Sequence, residues 1–225
     1  MTIINGTRNE IGIDSDAYPE LLQRIDHAPE TIYVVGDQSA LDLPMLAVTG
    51  ARRATPYGIA CAERFAEIAA GRGLCVVTGG ALGIDAAAME AALESGGKCV
   101  AVLAQGLDTD AYPDGNAELL QRIVDAGGAL VSEQPWGKPA LPWMFRARNR
   151  IVTGLALCLL VCEAGIPSGS FAAADGALIQ GRRVLAVPGR IDEPMSGGCN
   201  LLIASGAHPI VSDASLADEL AALGM

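Results

Sequence analysis

Leu74-Cys75-Val76-Val77-Thr78-Gly79-Gly80-Ala81-Leu82-Gly83-Ile84-Asp85 decides the fold. An apolar run without alternation ends at paired glycines, and an alanine-rich helical pattern starts a few residues later. An unalternated run reads as a strand covered on both faces. Glycine at its end lets the chain turn tightly or approach a ligand. The stretch is therefore a strand, a loop and a helix in succession, and the unit recurs on both sides of it.

Further strands are read at Leu46–Thr49, Lys98–Leu103, Ala129–Ser132, Leu157–Cys162, Arg183–Val187 and, short, Ile210–Val211. Helical patterns fall near 57–71, 84–95, 116–126, 147–155, 170–180 and 214–222. Strand–helix alternation with short loops predicts βαβ units, hence an α/β fold with a mostly parallel sheet and helices on both faces. Residues 46–225 carry this rhythm. Residues 1–45 are expected to form an extension packed on it, with a short helix from Tyr18-Pro19-Glu20-Leu21-Leu22 and a strand at Thr31–Val35 before Gly36.

Hydrophobic residues make up 51% of the 225, aromatics only 4%, so the core is built from aliphatic side chains. The net charge of −11 argues against a general electrostatic grip on nucleic acid. The arginines are nevertheless grouped, as Arg52-Arg53 and as Arg146, Arg148 and Arg150. The six cysteines (61, 75, 99, 158, 162, 199) form no C-x-x-C pair and read as reduced and mostly buried. No apolar leader opens the chain, and its longest apolar stretch, Ile151 to Cys162, is too short to span a bilayer. A cytoplasmic protein without membrane contact is expected.

Ligands of such sheets bind beyond the carboxyl ends of the strands, so the loops there are the candidates. Gly50-Ala51-Arg52-Arg53 precedes one helix, and a glycine turn at a helix start can aim N–H groups at an anion. Gly79-Gly80 precedes another and only loosely resembles a dinucleotide-binding pattern. Asp85, in that helix's first turn, suits a capping role or a ribose contact. Ser168-Gly169-Ser170 forms a third potential anion nest or an ordinary cap. Val187-Pro188-Gly189-Arg190 and Ser196–Asn200 add a fourth glycine-rich loop. Trp143-Met144-Phe145-Arg146-Ala147-Arg148-Asn149-Arg150 sets arginines beside aromatics, as a single-strand binding patch does. Arg148 or Arg150 can alternatively pair with a buried acid such as Glu133 or Glu163. No nucleophile–base pair, metal-ligand cluster or nucleotide-binding Walker loop is found, so a binding protein without metal or cofactor is expected rather than an enzyme.

Taken in order, these motifs resemble the DprA/Smf family (DNA-processing protein A). The matching segments begin with Tyr18-Pro19, Leu22, Ile25, Pro29 and Tyr33–Gly36. They continue with Val48–Arg52, Tyr57-Gly58, Gly79–Asp85, Val102–Asp108, Tyr112-Pro113 and Asn116. Ser132-Glu133, Phe145, Arg148-Asn149-Arg150-Ile151, Glu163-Ala164, Ser168-Gly169-Ser170, Gly181-Arg182 and Val187-Pro188-Gly189 follow. Gly198, Asn200–Ile203 and Gly206-Ala207 close the match, which covers about residues 17–212. The R-N-R and S-G-S segments are the most specific.

The resemblance implies an extended Rossmann-like, doubly wound fold, a homodimer, single-stranded DNA binding, and help in loading the RecA recombinase during transformation and recombination. It assigns phosphate contacts to Gly50, Ala51, Arg52 and the Gly79-Gly80 loop, and base stacking or packing to Phe145. Arg53, Arg148, Asn149 and Arg150 are expected to add to the grip, with Ser168, Gly169 and Ser170 at the same edge. Met89 stands where the family usually has histidine, Leu82 where it has arginine, and Arg146 where it has proline. The chain is expected to lack the C-terminal winged-helix module of many relatives. The alternative reading, from another class, is a Rossmann-like binder or hydrolase of a nucleotide-derived small molecule, with Asp85 or Glu163 orienting a ribose or serving as acid or base.

Overall fold

Nine strands form one sheet in the computed structural model, which describes residues 2–224. The chain opens with β1 (Arg8–Gly12), a one-turn helix α1 (Glu20–Gln23) and β2 (Thr31–Gly36). The repeating units follow: β3 (Met45–Thr49), α2 (Pro56–Gly71), β4 (Cys75–Thr78), α3 (Ile84–Glu94), β5 (Cys99–Val102), α4 (Ala117–Asp125) and β6 (Ala129–Ser132). Two short helices, α5 (Met144–Ala147) and α6 (Asn149–Leu155), lead to β7 (Cys158–Val161). The chain ends with α7 (Ser170–Ile179), β8 (Arg183–Ala186), α8 (Gly197–Ala204), β9 (His208–Pro209) and α9 (Asp213–Ala222).

The sheet order is β1-β2-β6-β5-β4-β3-β7-β8-β9. From β3 to β9 all neighbours through β6 are parallel; β2 pairs antiparallel with β6, and β1 with β2. The chain winds from β3 out to β6, then returns to β3's other side as β7. That reversal between β3 and β7 opens a crevice at their carboxyl ends, the place where doubly wound sheets bind ligands.

Alternate side chains of each strand go to opposite faces. Leu46 and Val48 pack under α2, α3, α4 and α9, among Phe65, Met89, Leu120 and Leu216. Met45 and Ala47 face α1, α6 and α7, among Leu22, Ile151 and Ala177. Burial on both faces is why the strands carry no polar alternation. Local chemistry sets the helix starts. Thr55 caps α2 through the Gly58 amide with Pro56 at the first position, and Ser212 and Ser215 cap α9 reciprocally.

The structure differs from the expected elements in four places. β1 is an added strand: only Ile11 of Arg8–Gly12 is buried, the pattern of a polar edge strand. α8 replaces part of a predicted glycine loop. The last strand lies at residues 208–209, two residues before the expected site. The helix read at 147–155 is two helices joined at Arg148. All six cysteines are unpaired. No helix of the described residues is long and apolar enough to cross a membrane.

Candidate functional site

At the β3/β7 crevice lies a cavity of about 520 Å³. Four segments enclose it: the β3–α2 loop with Gly50, Ala51, Arg52 and Arg53; the α5–α6 junction with Phe145, Arg146, Arg148 and Asn149; the α7 start with Ser168, Gly169 and Ser170; and Pro194 and Met195 before α8. Asp85 also lines it. A narrower recess adjoins it, walled by Gly79, Leu82, Tyr112, Phe145, Arg52 and Arg148. Two of the expected residues are not part of this wall. Gly80 is buried, its amide donating to Thr78 Oγ1 at 2.9 Å. Arg150 turns away and forks onto Glu133 at 2.8 and 2.6 Å.

The glycine loops do not present a free cradle of amides. The Gly79 and Ala81 amides donate to Asp85 Oδ2 at 3.0 and 3.2 Å. The Ala51 amide donates to the Glu163 carbonyl at 2.8 Å, and the Thr55 amide to Glu163 Oε2 at 2.8 Å. Glu163 is buried and its carboxylate sits at the N-terminus of α2, the seat a dinucleotide pyrophosphate takes in Rossmann proteins. The glycines make room for these internal contacts. A Cβ on Gly58 would come within 2.7 Å of the Glu163 carboxylate, and one on Gly50 within 2.6 Å of Ile84. A nucleotide bound in the usual pose would have to displace Glu163.

What remains for an anion is side-chain charge. Arg52 and Arg53 are exposed at the mouth. The Arg52 guanidinium lies 5.7 Å from the Phe145 ring centroid, within reach of a cation–π contact. Arg148 is deeper, only 6% exposed. Its guanidinium rests on the bare Cα of Gly79: a Cβ there would stand 1.5 Å from Nη1. Its buried Nε has no hydrogen-bond partner. Burial pulls its pKa down to about 10, opposed by the Asp85 charge, so Arg148 is still a cation at neutral pH. Burial in turn raises the Asp85 carboxyl, opposed first by Arg148. Among the described residues no ion pair joins the two. A buried guanidinium without an acceptor is costly unless a ligand supplies one.

The recess brings in a residue that the loop reading passed over. Tyr112 is 47% exposed, and its ring lies 5.3 Å from that of Phe145 at 56°. It comes from the β5–α4 connection, and only its place in the Tyr112-Pro113 pair marked it in the sequence. Two tilted rings beside two arginines combine flat ring faces with cationic donors, the pairing found in single-strand binding surfaces. Among the described residues no three His, Cys, Asp or Glu side chains cluster as metal ligands.

Fold and site together define a doubly wound, Rossmann-like α/β protein with a cationic, aromatic-walled cavity at its topological switch point. More specifically, the chain belongs to the DNA recombination-mediator protein A family, whose sequence model matches residues 9–221. It is 40% identical over 210 residues to Protein Smf of Escherichia coli, covering 93% of this chain and 56% of that one. The DNA processing protein A structure from Streptococcus pneumoniae superposes with a TM-score of 0.86 at 36% identity, over 94% of this chain and 74% of that one. The Helicobacter pylori protein, whose structure concerns its single-stranded DNA binding mode, gives 0.85 at 28% identity over 96% of each chain.

Proposed function

We propose that this chain binds single-stranded DNA in the switch-point cavity and acts in the cytoplasm as a homodimeric recombination mediator that assists RecA loading. The carrying observation is Arg148: a buried cation without an acceptor, seated against Gly79 and facing a cavity whose mouth holds Arg52. A phosphate group supplies the missing acceptor through charge-assisted hydrogen bonds. Phe145 and Tyr112 supply ring faces for a base, which tolerates any sequence. Kinship with the Helicobacter pylori protein supports the choice of single-stranded DNA. The recombinase and the dimer rest on family membership alone.

The acidic body fits this reading because the grip is local. Few phosphates are neutralised, so the salt dependence is shallow, about 0.7 in log–log slope for each phosphate on a single strand. Fluorescence anisotropy with labelled oligo-dT at two salt concentrations tests it. Arg52→Ala should weaken binding about tenfold and lower the slope by about 0.7. Wild-type affinity and slope in that variant would remove Arg52 from the site.

A further inference from the structure

We propose that Asp85 is a release element: its carboxylate, fixed in the wall of the phosphate cavity, weakens the hold on DNA so that the strand can be passed on. The inference rests on the single-stranded DNA reading and adds to it a residue that opposes binding.

A carboxylate is an unexpected group in a phosphate cavity. Asp85 is 4% exposed and lines the same cavity as Arg52 and Arg148. One oxygen, Oδ2, ties down both loop amides, Gly79 and Ala81. Among the described residues no donor meets the other oxygen. An asparagine carbonyl would accept the same two amides, so shaping the loop does not require a negative charge.

Stability does not require it either. Burial raises the Asp85 carboxyl, and Arg148, the two amides and Arg52 only partly offset this. A carboxyl whose pKa is higher folded than unfolded contributes stability when protonated and costs stability when ionised. Burial therefore makes this charge costly to the fold, a cost that Arg148 offsets in part. Such charges mark functional sites. Its direct effect on an incoming phosphate is repulsion, which is stronger in a partly enclosed cavity than in bulk water.

Dissociation of labelled oligo-dT, followed by stopped flow, separates this role from a structural one. Asp85→Asn should dissociate roughly tenfold more slowly than wild type, with a thermal midpoint at or above the wild-type value. An unchanged or faster dissociation in a folded Asp85→Asn protein would overturn the proposal. A second measurement covers poor folding of the variant. Wild-type dissociation should slow as the solution is acidified, because burial raises the Asp85 carboxyl and it gains a proton more readily than a free carboxylate. The other charged or titratable groups facing Asp85 are Arg148, a cation at neutral pH, Arg52, and the buried Cys162, whose thiol burial keeps neutral. A pH-independent rate would equally overturn it. Arg52→Ala, run in parallel, separates the two readings. If it and Arg148→Ala both bind as wild type does, single-stranded DNA binding in this cavity fails; if either weakens while Asp85→Asn does not tighten, only the release role fails.

Discussion

Arg148 and Arg150 stand two residues apart and meet opposite environments. Arg150 spends its donors inside the protein. It forks onto Glu133, and it donates to the His27 carbonyl at 3.1 Å and the Ala147 carbonyl at 2.9 Å. These bonds tie α6 to the end of β6 and to the loop before β2. Arg148 is the more deeply buried of the two, yet its Nε lacks a partner and it opens on a cavity. Residues two apart on a helix point about 200° away from each other. One therefore reaches the cavity and the other the opposite side. The saturated arginine ties elements of the fold together; the unsaturated one is, on the proposed function, the one that holds a ligand.

The largest expected effect comes from removing Arg148's seat without touching Arg148. In Gly79→Ala the new Cβ would stand 1.5 Å from Nη1 and 2.2 Å from Cζ, so the guanidinium must leave. Losing charge-assisted bonds of about 1.5–3 kcal/mol should lower oligo-dT affinity about 10- to 100-fold. The clash is with the end of a flexible side chain, so the fold should survive, as circular dichroism can verify. Wild-type affinity in this variant would mean that Arg148 does not hold DNA.

The opposite outcome is expected at Arg150. Arg150→Ala leaves Glu133 unpaired, in a pair whose side chains are only 26% and 18% exposed. A loss of about 2 kcal/mol is reasonable for breaking such a pair. That lowers the thermal midpoint by about 4–8 °C in a chain of this size. Affinity per folded molecule should not change. A tenfold loss of affinity with an unchanged midpoint would return Arg150 to the site.

This contrast also measures what the sequence tells. The unalternated runs and alanine-rich helices identify the parallel sheet because burial on both faces leaves a strong compositional trace. β1 leaves none, since Arg8 and Glu10 are exposed and Asn9 is only half-buried on an edge strand. α8 is masked by Gly197-Gly198, where Gly198 packs 2.5 Å from the Ala164 carbonyl if given a Cβ. The site loops are legible because their chain positions follow strand ends. Hydrogen-bond saturation is not legible. Nothing in the glycine pattern says that Asp85 and Glu163 have already claimed the Gly79, Ala81 and Thr55 amides. The sequence places both Arg148 and Arg150 at the site and does not say that only one of them reaches the cavity. That choice depends on Glu133, a residue 17 positions away from Arg150 in the chain.

The smallest and most discriminating test keeps both charges. Lysine retains the cation but loses the planar fork, so a matched pair of lysine substitutions isolates geometry from charge. In Arg148→Lys the ammonium still meets a phosphate, but it cannot lie flat on Gly79 or bond it twice. A loss of about three- to fivefold in affinity is expected, with the thermal midpoint unchanged. In Arg150→Lys the bidentate hold on Glu133 and the bond to the His27 carbonyl cannot both persist. About 1 kcal/mol should go, or about 2–4 °C, with affinity unchanged. On the proposed function the two effects fall on different axes, because one guanidinium group would bond a ligand and the other bonds the protein. If both variants moved along the same axis, the R-N-R segment would be acting as a unit and the division of labour between its arginines would be wrong.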